Sequence, residues 1–98
     1  MLRITVSYTI GPAGRFDLDY YTTRHAQLVH RLCDPIGLQR FEVDHDRTAG
    51  IVSAQLTFGA SDTVMTDLAA VSAELAADGS NFTDITPTMT TAAIVHQS

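Results

Sequence analysis

His25 and Tyr21 are the residues whose types and spacing best suit chemistry on a small molecule. They lie four residues apart in a segment whose apolar residues recur at helical spacing, so both side chains are expected to face the same way. Histidine side chains suit proton transfer near neutral pH, so His25 could act as a general base or orient a ligand, while the Tyr21 hydroxyl could donate to a ligand oxygen. The same spacing suits a buried histidine bonded to a carbonyl or hydroxyl and a tyrosine that fills space. The sequence leaves both interpretations open.

Two further groups of residues could contribute to a site. Tyr8, on the first predicted strand, resembles Tyr21 as a candidate for ligand binding. Asp44, His45 and Asp46 form a run of carboxylates and imidazole, but alternation along a strand points His45 away from its two neighbours. This run is therefore expected to be an exposed hairpin end.

The sequence predicts no metal site and no cofactor. His25 and His30 face opposite sides of the predicted helix, and neither His-x-x-x-His nor Cys-x-x-Cys occurs. A haem held by a single histidine stays open as an alternative. Cys33 has no base partner at helical spacing and is expected to be a small buried residue. Because the chain also has no phosphate-binding glycine loop and no Gly-x-Ser-x-Gly turn, any catalysis would depend on a pocket and one acid–base group.

The elements that must position these residues follow the order βαββαβ. Strands are predicted at residues 2–10, 38–45, 51–58 and 88–96, one helix begins at Asp17 and stops before Pro35, and a second is capped by Ser61 and ended by Gly79. This order predicts a ferredoxin-like α+β fold with a four-stranded antiparallel sheet and both helices on one face. The 98 residues are expected to form a single domain, 1–98.

The other face of this sheet has no helix of its own. The strand phase that turns Val6, Tyr8, Phe41, Leu56 and Phe58 toward the helices gives the open face hydroxyl and amide side chains, namely Thr5, Ser7, Thr9, Ser53, Gln55 and Thr57. Such a face can be solvated, or it can pack against a second sheet and enclose a partly polar cavity. A short chain with only 17% charged residues favours the second arrangement, a homodimer.

Composition excludes several classes of partner. The net charge is −5 and all six basic residues are arginine, which disfavours nucleic acid and anionic membrane surfaces. No apolar run approaches the ~18 residues of a membrane span. The single cysteine cannot form an internal disulfide, so a reducing, cytoplasmic location is expected.

Two segments of the chain resemble the EthD family of the dimeric α+β barrel superfamily. They are Phe16-Asp17-x-x-Tyr20-Tyr21-x-x-x-His25-x-x-Leu28 and Asn81-Phe82-Thr83-Asp84-Ile85-x-Pro87. The resemblance spans nearly the whole chain. It implies a homodimer whose two sheets pack face to face, with a cleft between sheet and helices in each subunit.

The resemblance also suggests functional residues. It implies a role for His25 preceded by the aromatic residues Tyr20 and Tyr21, and it makes Asn81, Phe82 and Asp84 candidates for the edge of a pocket or of the dimer. The family often has proline two places after the histidine, where this chain has Gln27. Because proline disturbs a helix, the backbone around His25 is expected to differ from the family's.

These observations favour a protein that binds a small organic molecule in a pocket. It could be a cofactor-free enzyme, of the monooxygenase, cyclase or isomerase type that the superfamily includes, with His25 transferring a proton and Tyr21 or Tyr8 orienting a ligand oxygen. The alternatives are a non-catalytic carrier or accessory protein for a partner oxygenase, and a scaffold that only self-associates. A fold shared so widely does not determine the reaction.

Overall fold

A computed structural model describes residues 1–98 and has the predicted element order. The strands are β1 (Leu2–Thr9), β2 (Leu38–Asp46), β3 (Ile51–Phe58) and β4 (Thr88–Ala93). They form one antiparallel sheet in the order β2-β3-β1-β4. This is the ferredoxin-like α+β architecture that the sequence predicts.

The first helix, α1, spans residues 18–33 in three consecutive segments. These are an α-helical start (Leu18–Tyr20), a π-helical turn (Tyr21–His25) and an α-helical remainder (Ala26–Cys33). The Asp17 carboxylate caps its start by accepting a hydrogen bond of 3.0 Å from the Tyr20 amide. A 3₁₀ turn (Asp34–Ile36) and Gly37, whose φ of 106° is left-handed, end the helix.

The second helix, α2 (Val64–Ala77), differs at both ends from the sequence prediction. Its N-cap residue is Thr63 rather than Ser61, and a 3₁₀ turn (Asp78–Asn81) follows it. Gly79 lies within that turn without a positive φ, so it does not end the helix as a left-handed cap. Neither helix combines the length and apolar character that a membrane span needs.

The core lies between the helices and one face of the sheet. Tyr8, Leu56 and Phe58 are buried there, and Val6 and Phe41 are half-buried against the same cluster, as the strand phase predicts. Only 15 of 98 residues are buried, and the chain exposes 6131 Å². A compact monomer of this mass exposes roughly 5,500 Å², so the protein presents an unusually large surface.

The open face of the sheet is polar, and its side chains are only partly exposed. Thr5, Ser7, Ser53 and Gln55 are half-buried, and Thr57 is buried. Ser7 and Ser53 lie opposite each other on β1 and β3, and their hydroxyls are 2.9 Å apart in a hydrogen bond. The two outer strands differ: β2 carries Arg40, Glu42 and Asp44, while β4 has no charged residue and is exposed along its whole length.

Candidate functional site

The π-helical turn of α1 determines where Tyr21 and His25 point. The Ala26 amide donates to the Tyr21 carbonyl five residues back, so this turn holds one more residue than an α-helical turn. The hydroxyls of Thr22 and Thr23 bond to backbone carbonyls of the preceding turn. Within this turn both Tyr21 and His25 are buried, at 2% and 6% exposure. Such π turns are often found at functional sites.

An aromatic cluster surrounds His25. The Tyr21 ring stacks on the imidazole, with centroids 5.0 Å apart and planes 12° apart, and the Phe82 ring lies 4.7 Å from the imidazole. The Tyr8 ring packs against both Tyr21 and Phe82, with ring centroids 5.7 Å from Tyr21 and 5.9 Å from Phe82. Phe16 also packs against Tyr21, with ring centroids 5.1 Å apart.

Asp78 connects the polar side chains of the site. Its Oδ2 lies 2.8 Å from His25 Nδ1, while its Oδ1 accepts from the Tyr20 hydroxyl at 2.7 Å and from the Asn81 amide at 2.9 Å. Partial burial by itself would raise the pKa of Asp78, but the hydrogen bonds from Asn81, His25 and Tyr20 together lower it below the ordinary value. Asp78 is therefore an ionised acceptor at neutral pH.

This arrangement determines the tautomer of His25. A carboxylate can only accept, so Nδ1 carries a proton, and in the neutral imidazole the lone pair lies on Nε2. Nε2 has no hydrogen-bond partner in the chain. Every fully buried side-chain nitrogen or oxygen in the protein does have one, so Nε2 is not fully buried. Nε2 therefore reaches accessible space. A neutral imidazole held in this way can take up a proton, and Asp78 would stabilise the resulting cation.

The phenols near His25 remain protonated over the physiological pH range. Burial is the main reason that the pKa of Tyr21 is raised, and the neighbouring Tyr8 raises it further. Burial likewise raises the pKa of Tyr8. The hydrogen bond to Asp78 is the main reason that the pKa of Tyr20 is raised. All three can act as hydrogen-bond donors but not as bases.

Two hollows lie beside α2. An apolar one of about 290 Å³ opens between α2 and the sheet. Eight of its nine lining residues are hydrophobic, and the complete set is Ile4, Val6, Leu56, Met65, Leu68, Ala69, Ser72, Leu75 and Met89. We call it the α2 hollow. A neighbouring hollow of about 300 Å³ shares Leu75 with it and is lined also by Tyr8 and Asp84.

The structure therefore separates the predicted site residues into two groups. His25, Tyr20 and Asn81 meet at Asp78. Asp78 in turn lines an open groove of about 330 Å³, together with Arg24 and Arg31. Tyr8 and Asp84 lie at the second hollow, and Asp84 accepts a hydrogen bond of 3.0 Å from the Arg15 amide. Tyr21 and Phe82 form the aromatic wall between the two groups.

Asp78 is the site residue that sequence analysis missed. Its signal was indirect: a carboxylate directly after a helix C-terminus, where the helix dipole disfavours negative charge. Such a residue needs compensating donors, and here Tyr20, His25 and Asn81 supply them. No three His, Cys, Asp or Glu side chains converge as metal ligands would. Cys33 is fully buried with a pKa raised by burial to about 11, so it is unreactive.

Comparisons with known proteins identify the fold. No protein-family model and no curated protein matches the chain. An EthD-like protein from Ralstonia eutropha JMP134 superposes with a TM-score of 0.84 at 20% identity, covering 99% of this chain and 94% of that one. A structure described as an antibiotic biosynthesis monooxygenase gives 0.57 at 11% identity, covering 98% and 100%. A Mycobacterium tuberculosis protein gives 0.58 at 10%, covering 99% and 97%. The chain thus has the fold of EthD-like and antibiotic biosynthesis monooxygenase-type proteins.

Proposed function

We propose that the protein binds a small, mainly apolar organic molecule in the α2 hollow. The observation that carries this proposal is the hollow itself, about 290 Å³ with eight hydrophobic residues among nine. Ligand pockets are typically concave, mostly apolar and roughly 300–1,000 Å³ in volume, so this one suits a compact ligand. Met65 and Met89 at its rim are about half exposed, and flexible methionines adapt readily to a bound molecule.

The neighbouring hollow offers a place for a polar end of the same ligand. It meets the α2 hollow at Leu75 and contains Tyr8 and the exposed carboxylate of Asp84. The Tyr8 phenol, whose pKa burial raises, would donate a hydrogen bond to a ligand oxygen. An aromatic or alicyclic ligand with one hydroxyl or carbonyl fits both hollows.

Filling the α2 hollow should abolish ligand binding. The small side chains of Ala69 and Ser72 leave this space open, so Ala69→Leu should fill much of it. Titration with 2-naphthol, followed by its fluorescence, should give saturable binding to the wild type and an affinity at least about tenfold weaker for Ala69→Leu. Ala70→Leu is the matched control, because Ala70 is exposed on the same helix and does not line the hollow.

Binding that saturates equally in wild type, Ala69→Leu and Ala70→Leu would contradict this assignment. So would an absence of saturable binding to the wild type. Thermal unfolding of each variant shows whether it retains the native fold.

A second candidate function is proton transfer by His25, which the 2.8 Å contact between its Nδ1 and Asp78 favours. In its neutral form, the imidazole would carry a free lone pair on the accessible Nε2, which is what a general base requires. The aromatic rings of Tyr21 and Phe82 lie between His25 and Tyr8, so Tyr8 would not orient a ligand that His25 deprotonates. If His25 takes no proton, the same protein would act as a carrier or as an accessory to a partner oxygenase.

Carbethoxylation by diethyl pyrocarbonate tests whether His25 is an available base. The reagent attacks an unprotonated imidazole nitrogen, and mass spectrometry of peptides distinguishes His25 from the exposed His30 and His45. We expect His25 to react in the wild type and at least about threefold more slowly in Asp78→Asn. An asparagine amide donates to Nδ1, which moves the proton to Nε2 and removes the free lone pair. A His25 that stays unmodified while His30 and His45 react completely would contradict the role.

The assembly that we propose is a homodimer closed over the open face of the sheet. Its support is the surface area, about 600 Å² above that of a typical compact monomer, together with the half-buried hydroxyls and amides of that face. The buried, unpaired thiol of Cys33 supports a reducing location, for which the cytoplasm remains the prediction.

A further inference from the structure

We propose that the open face of the sheet binds the carboxylate of a small organic acid between Arg3 and Arg40. A hollow of about 250 Å³ lies at this end of the face, and we call it the arginine hollow. Its polar lining consists of Arg3, Gln39, Arg40, Glu42, Thr57 and Gln97. It is on the opposite side of the sheet from the α2 hollow, so the proposal goes beyond the function proposed above.

The strand register places the two arginines on either side of Thr57. Thr57 on β3 pairs with Arg3 of β1 on one side and with Arg40 of β2 on the other. Adjacent strands are about 4.8 Å apart, so the two arginine Cα atoms are roughly 10 Å apart in one row. Two side chains of this length, rising from the same face, can bring both guanidinium groups to one ligand.

An irregularity in β2 adds a further donor. The register of β2 against β3 shifts between Leu38 and Arg40, which leaves Gln39 as the extra residue of a β-bulge. In a regular strand, Gln39 and Arg40 would point to opposite faces, yet both line the arginine hollow. Bulges re-aim side chains in this way and are frequent beside binding sites.

Thr57 is a buried residue whose hydroxyl lies at the floor of the hollow. The residue is only 6% exposed, and its hydroxyl makes no hydrogen bond within the chain. Because no fully buried polar side-chain atom is unpartnered, this hydroxyl reaches the hollow that Thr57 lines. A ligand oxygen would provide the partner that the chain does not.

The charge of the arginine hollow selects the ligand class. Its side chains carry two positive charges and one negative charge, and Glu42 lies 3.9 Å from Arg40, with both side chains well exposed. Such a pair is weak and leaves the Arg40 guanidinium free to bind elsewhere. A planar guanidinium matches a carboxylate through two parallel hydrogen bonds. The side-chain charges of the hollow sum to +1, which suits a monoanion, while the Glu42 carboxylate disfavours a phosphate dianion.

An NMR titration of the full-length chain tests the site. Sodium acetate and sodium benzoate are the probes, sodium phosphate is the competing anion, and sodium chloride holds the ionic strength constant. We expect saturable shifts of the Arg3, Arg40 and Thr57 amide signals with both carboxylates. Phosphate should bind more weakly than benzoate, and chloride should give no saturable change.

Variants separate this site from general charge attraction. Arg3→Gln and Arg40→Gln should each weaken benzoate binding about tenfold, and Thr57→Val about threefold. Glu42→Gln should strengthen it, because the competing carboxylate is gone. Arg47→Gln is the matched control, since Arg47 lies in the exposed β2–β3 turn outside the hollow, and it should leave the affinity unchanged.

Three results would overturn the proposal. They are tighter binding of phosphate than of benzoate, an equal loss of affinity in Arg47→Gln and Arg3→Gln, and no saturable carboxylate binding to the wild type. The amide spectrum of each variant reports whether it is folded. Since 2-naphthol binding in the α2 hollow does not involve these residues, failure of either proposal leaves the other standing.

Discussion

Asp78 is the residue on which the polar half of the candidate site depends. Its two carboxylate oxygens accept hydrogen bonds from Tyr20, His25 and Asn81, which belong to α1 and to the turn after α2. These bonds connect the two helical segments and also orient the imidazole. Asp78 is therefore expected to contribute to stability as well as to the state of His25.

Asp78→Asn should reduce stability in a pH-dependent way. We expect a loss of about 1–3 kcal/mol in the free energy of unfolding at pH 7, since asparagine cannot accept all three hydrogen bonds. The pKa of Asp78 is lowered in the folded protein, so the unfolded state binds more protons in acid. Its contribution is complete above the unfolded pKa of about 3.9 and is lost as the pH falls through the lower folded value.

Urea unfolding of both proteins between pH 2.5 and pH 7 measures this contribution. The difference between wild type and Asp78→Asn should shrink as the pH falls below about 4. Asp62→Asn is the control, because Asp62 is exposed and its side chain makes no hydrogen bond. A difference that is independent of pH would show that the Asp78 charge is not the stabilising group.

At the scale of elements, two departures from regular geometry position the candidate residues. A π-helical turn spans Tyr21–His25, whose two side chains are both buried, and the β-bulge at Gln39 brings Gln39 and Arg40 to one face. Neither follows from hydrophobic periodicity, because the residues that bracket each irregularity still fit a helix or a strand.

The ends of the two helices likewise differ in ways that the sequence pattern does not predict. Both are followed by a glycine within a few residues, yet only Gly37 adopts a left-handed conformation, with φ of 106°. After α2 the chain instead continues as a 3₁₀ turn that carries Asp78 and Asn81 to Tyr20 and His25. Local propensity predicts that the helical segment ends at Gly79. Contacts with α1 accompany its continuation through Gly79 as the 3₁₀ turn.

At the scale of the whole molecule, the sheet separates two candidate binding regions. One face packs on the helices and borders the α2 hollow, and the open face holds the arginine hollow. Closure by a second copy would cover the half-buried serines and threonines of the open face, whereas the arginine hollow, at the end of that face beside Met1, would lie at the rim of the interface. The uncharged outer strand β4 also lacks the charges that usually protect a sheet edge.

Sedimentation of the wild type at micromolar concentration should show a dimer, twice the 10.6 kDa chain mass. Ser53 lies on the open face in the inner strand β3, so Ser53→Arg would place a large charged side chain in the interface. We expect the dissociation constant to rise at least about tenfold. Thr66→Arg, on the exposed surface of α2, should leave it unchanged.

A wild-type protein that stays monomeric at about 100 μM would exclude the dimer. Equal dissociation of Ser53→Arg and Thr66→Arg would instead place the interface away from the open face. Either result leaves the α2 hollow unaffected, because that hollow lies within one chain.

The order of elements and the choice of which sheet face is buried follow from the sequence alone. Alternation in β1 and β3 and the helical spacing around His25 report which side of each element is apolar, and burial enforces that pattern. The sequence also singled out His25, Tyr21, Tyr20, Phe82 and Asn81, which do meet in space.

Only the tertiary structure revealed Asp78 as the partner of His25 and the separation of Tyr8 and Asp84 from that pair. The contact joins residues more than fifty positions apart, and its geometry depends on the π turn and the 3₁₀ turn. The two hollows beside α2 likewise depend on how far α2 lies from the sheet. Periodicity tells which face of an element is buried, whereas distances between elements are decided by packing of the whole chain.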